Sequence, residues 1–212
     1  MSRPEPRLVT SGPLPYLLSL PAGPAPAAGP LPLLCFLHGY DEGAPLPIHQ
    51  GLTRHGPLAP SASARATAEF VVVAAQMPAR GDLWHRHAAG VREIVRQVQA
   101  EHGADADRTF LTGFSFGGNG VFDLAREGPW AALWPVDPTR VPPADPGLPV
   151  WLSSGEISRR AERAFIQRLR LEPPAGEPGD RVYVDEGHDH VGTARLAYGD
   201  DRIYTWLLSR GA

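Results

Sequence analysis

Short apolar runs recur along this chain, and segments with a helical pattern separate several of them. Most of the runs have no polar interruption and are too short for helices, which is typical of strands buried on both faces of a sheet. The run at residues 69–78 is also heavy in β-branched side chains, which favour strands. The predicted strands cover residues 15–20, 31–39, 69–78, 108–113, 130–136, 148–154 and 180–187.

The helical segments alternate with these strands. Within residues 87–102, Val91, Ile94, Val95 and Val98 repeat at i, i+3, i+4 and i+7 and form one apolar face. Further helices are predicted at residues 119–127, 158–171 and 200–210. Alternation of strands and helices predicts an α/β fold whose mostly parallel sheet is covered by helices on both faces. The length of 212 residues suits a single domain spanning residues 1–212.

Composition excludes several classes of function. The formal net charge of −3 argues against a nucleic-acid or anionic-membrane partner. No apolar run approaches the ~20 residues of a membrane span. A single cysteine, Cys35, excludes an internal disulfide and suits a reducing compartment. Pro13 and Pro15 interrupt the apolar part of the first 20 residues, so we expect a cytoplasmic protein without a secretory signal. No Cys/His cluster has ligand spacing, so neither a metal nor a cofactor is expected.

The sequence GFSFG at residues 113–117 is a G-x-S-x-G motif centred on Ser115. A predicted buried strand precedes it and a predicted helix follows, so the chain must turn sharply at the serine. Glycines on both sides prevent side-chain collisions in such a turn. The hydroxyl then lies at the carboxyl edge of the sheet, where open α/β folds place their sites. Ser115 is therefore the candidate nucleophile, against the alternative of a glycine-rich turn whose serine caps a helix.

A serine nucleophile needs a base and donors for an oxyanion. Two histidines, His188 and His190, follow the last predicted strand, which is where this fold class places the base of a serine nucleophile. His188 comes directly after Gly187 and is the first choice, with His190 as the alternative. His38 ends a strand in a His-Gly corner, which predicts the backbone N–H of Tyr40 as one oxyanion donor. Phe116 N–H, at the start of the next helix, is the second.

These segments resemble the α/β-hydrolases, in particular a small esterase and predicted-peptidase branch near the feruloyl esterases and polyhydroxybutyrate-depolymerase-like proteins. The resemblance covers most of the chain and includes PLPLLCFLHGYDEG, RTFLTGFSFGGNGVFDLA and GHDHVGTARLAYGDDRIYTWLLSR, in that order. It implies an α/β-hydrolase fold with Ser115 as nucleophile, His188 as base and Tyr40 as oxyanion donor.

The acidic member of the expected triad is where the chain departs from that branch. The position that matches the acid is Ser158, within the segment LPVWLSSGEISRR. Glu156 lies two residues earlier, and its longer side chain makes it the first choice for orienting the imidazole. Asp137, after the preceding strand, is the second, since some α/β-hydrolases carry the acid there. The third alternative is that the acid is absent and Glu156 is a solvated carboxylate at a helix start.

The function predicted from these residues is serine-dependent cleavage of a carboxylic ester through an acyl-enzyme. The expected partner is a small-molecule ester, with no nucleic acid and no membrane. A peptidase or thioesterase with the same site is one alternative. A hydrolase-like protein that lost its triad acid and binds a ligand without catalysis is the other.

Overall fold

The structure, a computed structural model, describes residues 5–22 and 29–211. Most of the Pro/Gly/Ala-rich loop expected at residues 21–30 lies outside that part. Each predicted strand is present, with ends within a few residues of the expected ones, and an N-terminal strand is added. The strands are β1 (Arg7–Val9), β2 (Tyr16–Ser19), β3 (Pro32–Leu37), β4 (Val71–Ala75), β5 (Asp105–Phe114), β6 (Ala132–Val136), β7 (Val150–Ser154) and β8 (Arg181–Asp185).

All eight strands form one sheet in the order β1-β2-β4-β3-β5-β6-β7-β8. The hairpin β1-β2 and the pair β2-β4 are antiparallel, and every other neighbouring pair is parallel. The chain moves outward from β3 to β4 in one direction and from β5 to β6 in the other. The loops that follow β3 and β5 therefore diverge at the carboxyl edge of the sheet, and such a switch point is where open sheets bind their ligands.

Helices cover both faces of the sheet, as the sequence predicts. The α-helices are α1 (Ile48–Leu52), α2 (Arg65–Glu69), α3 (Ala88–His102), α4 (Phe116–Leu124), α5 (Glu162–Leu169), α6 (His190–Gly199) and α7 (Asp201–Leu208). Helices α3, α4 and α5 pack on one face, and α1, α2, α6 and α7 pack on the other. Along β3, Leu33, Cys35 and Leu37 face the first layer, while Leu34 and Phe36 face the second. This alternation follows from the two-residue period of a strand.

The helix boundaries differ from the predicted ones in places that matter for the site. Helix α4 begins at Phe116, directly after the serine of the motif, and not at residue 119. The segment predicted as one helix at residues 158–171 divides into a 3-10 turn, Ser158–Ala161, and α5. Helix α6 begins at His190, in a segment for which the strand and helix patterns predicted no separate element.

The part of the chain that the structure describes has no helix with both the length and the hydropathy needed to cross a bilayer. A single domain over residues 1–212 and a cytoplasmic location stay predictions.

Candidate active site

Ser115 occupies a sharp turn between β5 and α4. Its backbone has φ 58° and ψ −115°, a strained state for a residue with a side chain. The flanking glycines are required by close backbone contacts: a Cβ on Gly117 would lie 1.8 Å from the carbonyl oxygen of Leu37, and one on Gly113 would lie 2.3 Å from that of Gly117. The G-x-S-x-G pattern is therefore a steric requirement of this turn, which presents the hydroxyl at the carboxyl edge of the sheet.

The imidazole beside Ser115 belongs to His190. Its Nε2 lies 2.9 Å from Ser115 Oγ, and its ring packs against Phe114 with 4.6 Å between centroids. His190 is the first residue of α6, where Asp189 caps the helix by accepting the Gly192 N–H at 2.6 Å.

The first choice of base, His188, is therefore wrong. The histidine beside Ser115 is the alternative, His190. His188 is exposed and lies over Gly192, where an added Cβ would be 2.6 Å from its Nδ1. The physical reason is the helix start: the cap at Asp189 separates the two histidines and turns the second one toward the sheet edge. A sequence signal for this existed, since Asp is a preferred N-cap residue and His190 follows it directly.

The acid beside the imidazole is Asp137, at the end of β6. Its Oδ2 accepts a hydrogen bond from His190 Nδ1 at 2.6 Å, and the side chain is fully buried. Its backbone has a φ of 40°, a second strained position at the carboxyl edge of the sheet. With Nδ1 donating to Asp137, His190 Nε2 is free to accept the proton of Ser115.

Hydrogen bonds hold the buried Asp137 carboxylate in its charged form. Its Oδ1 accepts from the backbone N–H groups of Gly155 at 3.0 Å and Ser158 at 2.9 Å, and from Ser158 Oγ at 2.7 Å. Burial by itself raises the pKa of Asp137, but the bonds from His190 and Ser158 outweigh it, so the pKa lies below the ordinary value. The acid is therefore ionised at neutral pH.

The first choice of acid, Glu156, is also wrong, because this residue takes no part in the arrangement. Its side chain is about half exposed, at 48%, and pairs with Arg160 at 3.1 Å on the following turn. Ser158, which matches the acid position of the resembling branch, donates to Asp137 instead of replacing it. The carboxylate that contacts the imidazole therefore lies at the end of the neighbouring strand β6, and Ser158 stabilises it. Sequence reasoning did not assign Ser158 this supporting contact.

The segments that carry the two candidate oxyanion donors lie beside the serine. Phe116 is the first residue of α4, so its N–H has no acceptor within the helix. The Tyr40 ring packs edge-on against the Phe116 ring with 5.0 Å between centroids. A Cβ on Gly39 would be 3.5 Å from Ser115 Cβ, so the loop after β3 lies directly against the nucleophile. The Tyr40 and Phe116 segments therefore meet at Ser115.

His38 is a structural residue of that loop. Its Nε2 accepts the Met77 N–H at 3.0 Å, which leaves the proton on Nδ1, 2.7 Å from the carbonyl oxygen of Gly39. Burial lowers the pKa of His38 to about 4, so the ring is neutral. Trp84 Nε1 donates to the His38 carbonyl oxygen at 3.1 Å and ties the loop down.

A small cleft adjoins the site. It has a volume of about 230 Å³ and is lined by Trp84, Phe116, Asn119, Arg140 and neighbours. A cavity of about 530 Å³ lies between α7 and residues 174–178, and it contains none of the residues above. Within residues 5–22 and 29–211, no three His, Cys, Asp or Glu side chains cluster so as to hold a metal ion.

Comparison with known proteins gives likeness in structure only. The sequence matches no protein-family model and no curated protein. A solved structure described as a thermostable esterase superimposes with a TM-score of 0.71 over 97% of this chain at 21% identity. The chain spans 62% of that esterase's length. An α/β serine hydrolase homologue from Coxiella burnetii gives a TM-score of 0.60 at 16% identity, covering 98% of this chain and 97% of the other. With the strand order and the serine turn described above, these likenesses establish that the chain has the α/β-hydrolase fold.

Proposed function

We propose that this protein is a serine hydrolase that cleaves carboxylic esters through an acyl-enzyme. The observation that carries the proposal is the continuous hydrogen-bonded line from Ser115 Oγ through both ring nitrogens of His190 to Asp137. A nucleophile, a base and a group that orients the base are the three parts such chemistry needs. The geometry joins them at distances of 2.9 and 2.6 Å.

In the proposed acylation step, Ser115 Oγ attacks the ester carbonyl carbon while His190 Nε2 takes the hydroxyl proton. The carbonyl oxygen becomes an oxyanion that accepts hydrogen bonds from the Tyr40 and Phe116 N–H groups, each such donor lowering the barrier by about 3 kcal/mol. His190 then gives its proton to the departing alcohol oxygen, which leaves the acyl group on Ser115. Water attacks the acyl-enzyme in the same way and restores Ser115.

Asp137 serves this cycle without changing its own protonation. Its carboxylate fixes the tautomer in which Nε2 is the acceptor and stabilises the imidazolium that forms in each step. The alternative of a non-catalytic binding protein rested on a missing acid. The hydrogen bond between Asp137 and His190 argues against it.

The cleft that Phe116 lines has a volume of about 230 Å³, which accommodates only a short acyl chain. We therefore propose short-chain esters as the preferred class. Peptidase or thioesterase activity would use the same residues, since both are acyl transfers to Ser115.

The test is active-site labelling with a fluorophosphonate probe, followed by assays on p-nitrophenyl esters of increasing acyl length. Wild-type protein should be labelled on Ser115 and should turn over the acetate or butyrate faster than the decanoate. Ser115→Ala should lose labelling and turnover, with kcat lower by about 10⁴–10⁶ and the fold retained. A wild-type protein that neither reacts with the probe nor hydrolyses any ester, amide or thioester would refute the proposal.

A further inference from the structure

Glu42 is a buried carboxylate that the proposed catalytic cycle leaves unused. It ends the 3-10 turn Tyr40–Glu42, directly after the His-Gly corner, and is only 3% exposed. Carboxylates are rarely buried to this extent unless they are paired or hydrogen-bonded. The contacts of this side chain therefore indicate what it does.

Both carboxylate oxygens of Glu42 face groups around the site. Oε2 accepts the Gly39 N–H at 2.5 Å, and Oε1 lies 3.5 Å from His55 Nε2. The His55 ring packs against Phe114 at 5.0 Å, and Phe114 in turn packs against His190. The Glu42 backbone is held as well, because its carbonyl oxygen accepts from Gln76 Nε2 at 3.0 Å.

The bond to Gly39 controls the direction of the next peptide group. Gly39 has an extended backbone, with φ −77° and ψ −171°, and successive N–H groups of an extended chain point to opposite sides. When Glu42 holds the Gly39 N–H inward, the direction of the Tyr40 N–H is fixed as well. Gly39 has no side chain, so hydrogen bonds hold its peptide groups: Glu42 accepts its N–H, and His38 Nδ1 donates to its carbonyl oxygen at 2.7 Å.

We propose that Glu42 is a positioning residue for the oxyanion loop, and that its bond to Gly39 N–H presents the Tyr40 N–H to the oxyanion beside Ser115. The inference rests on the proposed function, since it assigns Tyr40 a role in that reaction. Glu42 itself touches neither substrate nor reacting atoms.

The bond from the Gly39 N–H to Glu42 does not require a charged carboxylate. Burial raises its pKa to about 7, and the nearby Asp41 adds to this, while the Gly39 N–H, Arg54 and His190 act in the opposite direction. His55, the other group that faces it, has a pKa lowered to about 4 by burial and by the charges of Arg54 and His190, so it is neutral at neutral pH. Glu42 is therefore partly neutral near pH 7, and its carboxyl group can still accept the Gly39 N–H in that form, as the amide oxygen of a glutamine could.

Three substitutions separate hydrogen bonding from charge and from bulk. Glu42→Gln keeps an acceptor for Gly39 N–H without a charge, Glu42→Asp keeps the charge but falls short by one methylene, and Glu42→Leu removes both. With p-nitrophenyl acetate, Glu42→Asp and Glu42→Leu should lower kcat by about 10- to 100-fold, at or below the cost of removing one oxyanion donor, with KM changed less than about 3-fold. Glu42→Gln should keep kcat within about 3-fold, because its amide oxygen can accept the Gly39 N–H in place of the carboxylate.

Glu156→Leu is the matched control, since it makes the same change at an exposed carboxylate outside the site. Ser115→Ala shows whether the measured activity belongs to the site. If wild type is inactive on every ester, amide and thioester and unlabelled by the fluorophosphonate probe, the proposed function and this inference fail together. If wild type is active, Ser115→Ala is inactive and Glu42→Asp keeps full kcat, only the Glu42 inference fails. It fails equally if Glu42→Gln is as impaired as Glu42→Asp. Should Glu42→Leu not fold, the Gln and Asp variants decide alone.

Discussion

At the scale of single residues, the site depends on which of two neighbouring histidines a helix start turns inward. His188 and His190 are separated only by Asp189, whose carboxylate caps α6. Residues before a cap belong to the loop, whereas the first helical residue is fixed in direction by the helix. His190 therefore reaches Ser115, and His188 stays at the surface.

The first prediction concerns these two residues. Replacing His190 with Ala should lower kcat as severely as Ser115→Ala does, by about 10⁴–10⁶, because nucleophile and base act as a unit. His188→Ala should keep kcat within about 3-fold. Steady-state hydrolysis of p-nitrophenyl acetate measures both. The opposite ranking of the two alanine variants would make His188 the base.

The acid gives the second prediction. Asp137→Asn should cost about 10⁴ in kcat, because an amide at this position favours the wrong imidazole tautomer. Glu156→Gln, the matched change at the exposed carboxylate, should be silent. Equal losses in the two variants, with intact folds by circular dichroism, would contradict the assignment of the acid to β6.

At the scale of elements, the sequence predicted the strands well because they are apolar on both faces. The elements that the sequence did not predict are short and show no such pattern. Strand β1 has only three residues and an exposed pattern, and α1 and α2 have five residues each, too few to show a helical period. The choice between Glu156 and Asp137 as the acid was also not decidable from sequence, since both residues follow predicted strands. Only the sheet order, with β6 beside β5, brings Asp137 next to the serine turn.

The turn between β5 and α4 carries the third prediction. In Gly117→Ala the new Cβ would lie 1.8 Å from the Leu37 carbonyl oxygen, a backbone atom that cannot move without separating α4 from β3. We expect a loss of about 3 kcal/mol or more in the free energy of unfolding, at the upper end for overpacking. Urea unfolding measures it. Gly179→Ala is the control, because a Cβ there meets no atom of the described residues within 4 Å. A Gly117→Ala protein as stable as the control would show that the turn is not constrained as described.

At the scale of the whole molecule, buried histidines and buried glutamates change the stability of the fold with pH in opposite directions. His38 and His55 have pKa values lowered to about 4 by burial, so their contribution to stability is present above pH 6.5 and is lost as the pH falls toward 4. Glu42 and Glu186 have pKa values raised from 4.5 to about 7, so their contribution is present below pH 4.5 and is lost as the pH rises toward 7. The two sets compensate between about pH 4.5 and 6.5, which favours a flat stability profile there.

Glu186 allows one side of this balance to be tested away from the site. It follows β8, and its Oε1 is buried without a hydrogen-bond partner among the residues that the structure describes. Burial, together with the nearby Asp200, raises its pKa to about 7. Since the ordinary value is 4.5, the folded protein at pH 8 must hold a carboxylate that the unfolded chain solvates better, whereas near pH 4.5 the folded protein holds a neutral acid.

Glu186→Gln is neutral at every pH, so it should stabilise the protein at pH 8 and do so much less at pH 5. After allowance for partial solvent screening, we expect the gain at pH 8 to exceed that at pH 5 by roughly 1–2 kcal/mol. Urea unfolding at the two pH values gives the difference directly, with Glu156→Gln as the control for loss of an exposed carboxylate. A gain independent of pH, or a loss at pH 8, would show that Glu186 is stabilised as an anion in the folded protein.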